Sequence, residues 1–156
     1  MATNTAGLEI QAINILKDIE IAAPPGIAFE AVLEELGPAG EMPGGKPFPM
    51  TIEPWPGGRW YRDLGNNSGH LWGHVQVIKP PTLLEICGPL MMSYPATNHL
   101  QYRLTAEGGG TRLAFLHRGM GSIQPEHLDG MPKGWQYWLE RIRELAERKN
   151  RKEAKR

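Results

Sequence analysis

Five histidines, a single cysteine and one glycine-lysine segment are where this 156-residue sequence could hold conventional catalytic or metal chemistry. Gly40-Glu41-Met42-Pro43-Gly44-Gly45-Lys46 has the G-x-x-x-x-G-K spacing of a phosphate-binding loop. The next residue breaks the match. Pro47 carries neither a hydroxyl for magnesium nor a backbone N–H for phosphate, and with Pro49 it blocks the helix that must follow such a loop. His70 and His74 are four residues apart in a strand-like segment. On a strand that interval spans roughly 13 Å at about 3.3 Å per residue, whereas ligands sharing one zinc each sit about 2.1 Å from it. The pair alone holds no metal; a site would need His99, His117 or His127 to join one of them across strands, and structural or surface histidines are the default reading. Cys87 lies in an apolar run, where a thiol behaves as a small hydrophobe. There is no G-x-S-x-G turn and no H-E-x-x-H pair. No catalytic residue, metal or cofactor is assigned on these grounds.

Aromatic side chains are the stronger signal. Trp60, Tyr61, Trp72, Tyr102 and Phe115 fall in strand-like segments, and Trp135, Tyr137 and Trp138 fall in a helical one. Most such rings fill cores. Period-two alternation, however, places Arg62 on the face of Trp60 and His117 on the face of Phe115, so polar tips share the inward surface. An apolar hollow with a few polar groups is the usual construction of a small-molecule site.

The elements that must position these residues follow from periodicity. Ile13, Ile15, Ile19 and Ile21 alternate through 11–22, a strand with one buried face, and Pro24-Pro25 ends it and opens a helix over 26–36. Residues 37–49 hold four glycines and four prolines and read as a loop. Strands are expected near 48–54, 58–64, 70–79, 82–88, 97–106 and 111–118, with connections too short for anything but antiparallel neighbours. Trp135, Trp138, Leu139, Ile142, Leu145 and Ala146 then form the apolar stripe of a closing helix over 134–149. The fold class is α+β, a curved antiparallel sheet covered on one face by the long helix.

Composition bounds the rest. Lys+Arg 17 balances Asp+Glu 17, leaving no net field to attract nucleic acid. One cysteine closes no internal disulfide, and no signal peptide or eighteen-residue apolar run is visible, so a soluble cytoplasmic protein without a membrane span is expected. The length fits a single domain over 1–156, with 146–156 a basic tail whose end frays.

In order along the chain stand IEIAAPPGIAFEAV at 19–32, Pro56-Gly57-Gly58-Arg59-Trp60, Gly73 and Val75 before Pro80-Pro81, and Leu84 and Ile86. Gly109-Gly110-Thr111-Arg112-Leu113, His117 and Gly134-Trp135 follow. With them the chain resembles the START-like (SRPBCC) superfamily, in the group related to the C-terminal domain of the activator of the ninety-kilodalton heat-shock-protein ATPase. The resemblance implies a helix-grip fold enclosing a cavity for an apolar ligand, with Trp135 at its roof and no common cofactor. The expected function is a non-enzymatic binding module for a small hydrophobic or amphipathic molecule, contacted by Trp60, Arg62, Trp72, Tyr102, Phe115, His117 and Trp135. Arg62 is then expected to have an acidic partner or an anionic ligand, and Met91 and Met92 to shape an adaptable wall. The resemblance leaves two alternatives open, a cyclase, dehydratase or hydrolase using His117, and a regulator of a chaperone ATPase. A chaperone partner belongs with the latter, and a homodimer is a further expected partner.

Overall fold

The computed structural model describes residues 2–155. Strand β1 (Gln11–Ile21) buries Ile13, Ile19 and Ile21 and turns its even-numbered residues outward, as alternation requires. Pro25 opens helix α1 (Pro25–Leu36), whose Ala28, Phe29, Ala31, Val32 and Leu36 face the core. The segment read as irregular contains a minimal hairpin, β2 (Glu41–Met42) with β3 (Lys46–Pro47). Beyond it a meander runs through β4 (Thr51–Ile52), β5 (Arg59–Gly65), β6 (Ser68–Lys79), β7 (Leu83–Gly88), β8 (Ala96–Glu107) and β9 (Gly110–Gly121).

One seven-stranded antiparallel sheet has the order β1-β9-β8-β7-β6-β5-β4. The first strand therefore returns beside the last, paired over its full length from Gln11 opposite Gly121 to Ile21 opposite Thr111. At the β8–β9 turn the left-handed positions fall on Gly108 and Gly109, with φ 57° and 82°, while Gly110 already begins β9.

Helix α2 (Pro125–Ala154) crosses the concave face and starts at Pro125, not at Gly134. Gly130, Pro132 and Gly134 look like breakers in sequence, yet they lie inside its first turns, where burial of Met131 and Trp135 holds the segment helical. Met131, Trp135, Leu139, Ile142 and Ala146 make the buried stripe. Full burial of a side chain such as Leu139 or Ile142 contributes on the order of 2 kcal/mol. The basic segment continues the helix: Lys149 Nζ reaches Glu34 Oε1 at 2.8 Å, and Asn150 Nδ2 donates to Ala22 O at 3.2 Å.

Candidate functional site

The enclosed cavity expected between sheet and helix is filled. Tyr102 packs on Phe115 with ring centroids 5.1 Å apart, Phe115 on Trp135 at 4.6 Å, and Trp135 on Trp138 at 5.0 Å. What remains beside Glu35, Trp60 and Tyr102 is a void of about 10 Å³, room for one water at most. Large rings on both layers close the space that the resemblance leaves open.

Larger and more polar clefts of about 720 Å³ lie at the β8–β9 turn and over the β7–β8–β9 face. Apolar space is left at the mouth of the grip, where the first turns of α2 meet the β2–β3 hairpin and β6. There a pocket of about 360 Å³ is lined by Phe48, Trp72, Trp135 and Trp138, by Met42, Met91 and Met131, and by Pro43, Gly130 and Gly134, with Glu126 and His127 the ionisable groups. Its size is at the lower end for small-molecule sites, and its walls are mostly aromatic and thioether. The two glycines are spaced one turn apart on α2, and a Cβ added at either would meet nothing within 4 Å. They leave the room that the pocket occupies.

The hairpin wall is held by side chains of α2. Trp138 Nε1 donates to Glu41 O at 2.8 Å, Tyr137 Oη donates to Glu41 Oε1 at 2.9 Å, and Arg141 Nη2 donates to Ala39 O at 3.0 Å. Arg141 also sits between two carboxylates, with Nη2 3.2 Å from Glu41 Oε2 and Nε 3.3 Å from Glu35 Oε2. The Glu35 contact is poorly aligned, since among the described residues neither Arg141 Nε nor Glu35 Oε2 makes a hydrogen bond. Burial pushes the Glu35 carboxyl up to about 7, with Arg141 working against it.

Of the seven residues expected to touch a ligand, Trp72 and Trp135 line this pocket and the other five do not. Trp60 is 1% exposed and donates through Nε1 to Leu36 O at 2.7 Å. Tyr102 and Phe115 are core, and burial pushes the Tyr102 phenol well above its ordinary value. Arg62 lays its guanidinium 3.7 Å from the centre of the Phe48 ring. It needs no acidic partner, because it is half-exposed and solvated, and no carboxylate among the described residues forms an ion pair with it. The expected anionic contact at Arg62 is replaced by ring stacking.

His117 is fully buried inside a chain of hydrogen bonds. Trp135 Nε1 donates to His117 Nδ1 at 3.0 Å, which fixes the neutral tautomer with the proton on Nε2, and Nε2 donates to Asn98 Oδ1 at 2.7 Å. Asn98 Nδ2 then donates to Gly88 O at 3.1 Å. Gly119, opposite Asn98 in the β8–β9 register, clears the path: a Cβ there would overlap Asn98 Oδ1. Burial pulls His117 down to about 4, so it is neutral near pH 7. Both nitrogens are occupied and neither reaches the pocket, which makes the network a positioning device for Trp135.

Of the two methionines expected to shape a wall, Met91 lines this pocket, whereas Met92 is buried in the core with Leu90. Sequence reasoning missed Met42, Pro43 and Phe48, which lie in the segment read as a featureless loop, and Gly130, Met131 and Gly134, which precede the expected start of the helix or were read as marking it. The available signal was the run of apolar and small residues at helical spacing upstream of Trp135.

Residues 46–147 match the family described as Activator of Hsp90 ATPase homolog 1-like protein. The chain belongs to this family. Its sheet and closing helix are the helix-grip arrangement of the START-like superfamily, and solved structures share it at low sequence identity. An uncharacterized protein from Rhizobium leguminosarum superposes with a TM-score of 0.69 at 16% identity, over 92% of this chain and 99% of that one. The Aha1 protein from Colwellia psychrerythraea, a dimer in solution, gives 0.63 at 14% identity over 86% and 96%. DynU16, from the dynemicin biosynthetic locus, gives 0.64 at 14% identity over 86% of this chain and 47% of its own. A search of curated proteins finds no match. Among the described residues no helix is long and apolar enough to cross a membrane.

Proposed function

We propose that this family member is a non-enzymatic binding module that holds one small hydrophobic or amphipathic molecule at the mouth of the grip. The observation that carries the reading is the 360 Å³ pocket walled by four aromatic rings and three methionines, beside a core that is otherwise closed. Taking about 30 Å³ per water as a yardstick, it accepts an occupant of roughly a dozen non-hydrogen atoms.

The alternative of a hydrolase, cyclase or dehydratase using His117 has little support in the geometry. A general base must reach the proton it removes, and His117 is sealed behind Trp135 with both nitrogens engaged. A regulator of a chaperone ATPase remains the second reading, supported by the family description, and a homodimer by the dimeric relative. Neither requires the pocket, so pocket variants separate them from ligand binding.

The test is to fill the pocket from the helix. Gly130→Leu with Gly134→Leu inserts two side chains into open space and replaces two helix glycines, each of which costs about 1 kcal/mol relative to alanine. The double variant should melt at or above the wild-type temperature, while small molecules that raise the wild-type melting point in a thermal-shift panel no longer do so. Mass spectrometry of whatever leaves the denatured wild-type protein should find a species absent from the variant. Equal ligand response in both proteins would dispose of this reading.

A further inference from the structure

Resting on the binding reading above, we propose that the occupant is an organic cation, an amphiphile whose ammonium head sits toward Glu126 and whose apolar body lies on the tryptophan and methionine walls. Among the described pocket-lining residues there is no lysine or arginine, and the one carboxylate is Glu126, in the first turn of α2. Lys46 and Lys133 are exposed and do not line the pocket, and Arg62 is committed to the Phe48 ring. Aromatic faces attract cations and offer nothing comparable to anions.

The start of α2 is the obvious objection, since helix N-termini favour anions. Here most of that end is spent, leaving the amide of Glu126 beside its own carboxylate. Pro125 has no N–H, and the amides of His127 and Leu128 both donate to Gln124 O, at 3.0 and 3.1 Å. Glu126 itself supplies the negative charge that the dipole favours. His127, the other polar lining residue, is tied through Nδ1 to Tyr94 Oη at 2.6 Å and stacks on that ring. A carboxylate or phosphate entering the pocket would therefore meet a carboxylate and neither a lysine nor an arginine. The pocket's volume also excludes a two-chain lipid, which points to a free organic cation.

Octyltrimethylammonium, octanoate and octan-1-ol share one apolar tail and differ in head charge, and the first has about the dozen heavy atoms the volume allows. Each is titrated below its micellar concentration into the full chain at pH 7.5 and low salt, following tryptophan fluorescence. The cation should bind about tenfold more tightly than octanoate and several-fold more tightly than octanol. Glu126→Gln, an exposed change without structural partners among the described residues, should weaken the cation about threefold, strengthen octanoate and leave octanol unchanged. Octanoate binding as tightly as the cation, or Glu126→Gln moving all three alike, overturns the assignment while leaving a binding pocket in place. Binding of none of the three overturns both. Co-sedimentation with phosphatidylcholine vesicles without binding of the free cation would also overturn it, in favour of a membrane-held headgroup.

Discussion

Glu35 and His117 make opposing contributions to stability between pH 4 and 7, and replacing one should expose the other. Burial raises Glu35 from 4.5 to about 7 and lowers His117 from 6.5 to about 4. Between pH 4.5 and 7 the native protein keeps a proton on Glu35 that the unfolded chain has released, so this group's contribution falls as pH rises. Between pH 4 and 6.5 the unfolded chain protonates His117 and the native protein does not, so that contribution rises with pH. Each gap is about 2.5 pH units, worth about 3 kcal/mol at about 1.36 kcal/mol per unit, or about 2 once residual hydration of the two groups themselves, which weakens the desolvation behind both shifts, is allowed for. Over the shared window of pH 4.5 to 6.5 the two nearly cancel.

Glu35→Gln keeps the side-chain shape and removes one of the two titrations. Urea unfolding at pH 4.5, 5.5, 6.5 and 7.5, followed by tryptophan fluorescence, should find the variant gaining about 2 kcal/mol relative to wild type as pH rises from 4.5 to 7. Comparing the two proteins cancels exposed pairs such as Arg59 with Glu53, whose carboxylate is held at about 2 and titrates below the window. A difference that stays within about 0.5 kcal/mol across the whole range would mean that Glu35 is ionised in the native protein at pH 5. The account of a buried carboxyl poorly paired with Arg141 would then be wrong.

Two further predictions come from the same network. Trp135→Phe removes the donor to His117 Nδ1 and leaves a buried acceptor unpaired, costing about 1–3 kcal/mol in unfolding free energy, whereas Trp72→Phe deletes an indole N–H that is already buried without a partner and should cost about 1–2 kcal/mol less by the same urea titration. Gly119→Ala drives a Cβ into Asn98 Oδ1 and should lower stability by about 1–3 kcal/mol; a melting temperature unchanged within a degree would show that Asn98 is not held where the hydrogen bonds place it.

The sheet was legible because each of its strands announces itself locally. Alternating isoleucines mark β1, and Gly65-Asn66-Asn67, Pro80-Pro81 and Gly108-Gly109 separate segments too close together for parallel pairing. The start of α2 was not, since Gly130, Pro132 and Gly134 argue against a helix by propensity, and the helix forms there because Met131 and Trp135 are buried by distant partners. The hairpin at 41–47 is invisible for the same reason. What fixes it is Glu41 meeting Tyr137, Trp138 and Arg141 nearly a hundred residues away, and no local pattern carries that. Alternation alone turns His117 inward, but its partner Asn98 depends on the β8–β9 register, which places Leu100 opposite His117 and Asn98 on the diagonal.

The tryptophans also explain why five of seven expected contact residues lie away from the pocket. An indole N–H needs an acceptor when buried, and where the fold supplies one the ring is pinned: Trp60 by Leu36 O, Trp138 by Glu41 O and Trp135 by His117. Pinned rings close the space between sheet and helix and cannot yield it to a ligand without losing a hydrogen bond. Trp72 has no such tether among the described residues. It is held by ring contacts alone, 5.1 Å from Trp60, 5.8 Å from Phe48 and 6.3 Å from Trp138. Sequence pattern identifies which rings face inward; the hydrogen-bond partner of each indole decides which are fixed core and which can adjust, and that partner is set only when the chain has folded. Adaptability at the mouth therefore resides in Trp72 and the methionines around it, while Trp135, anchored through His117 and Asn98, provides the rigid wall against which an occupant is pressed.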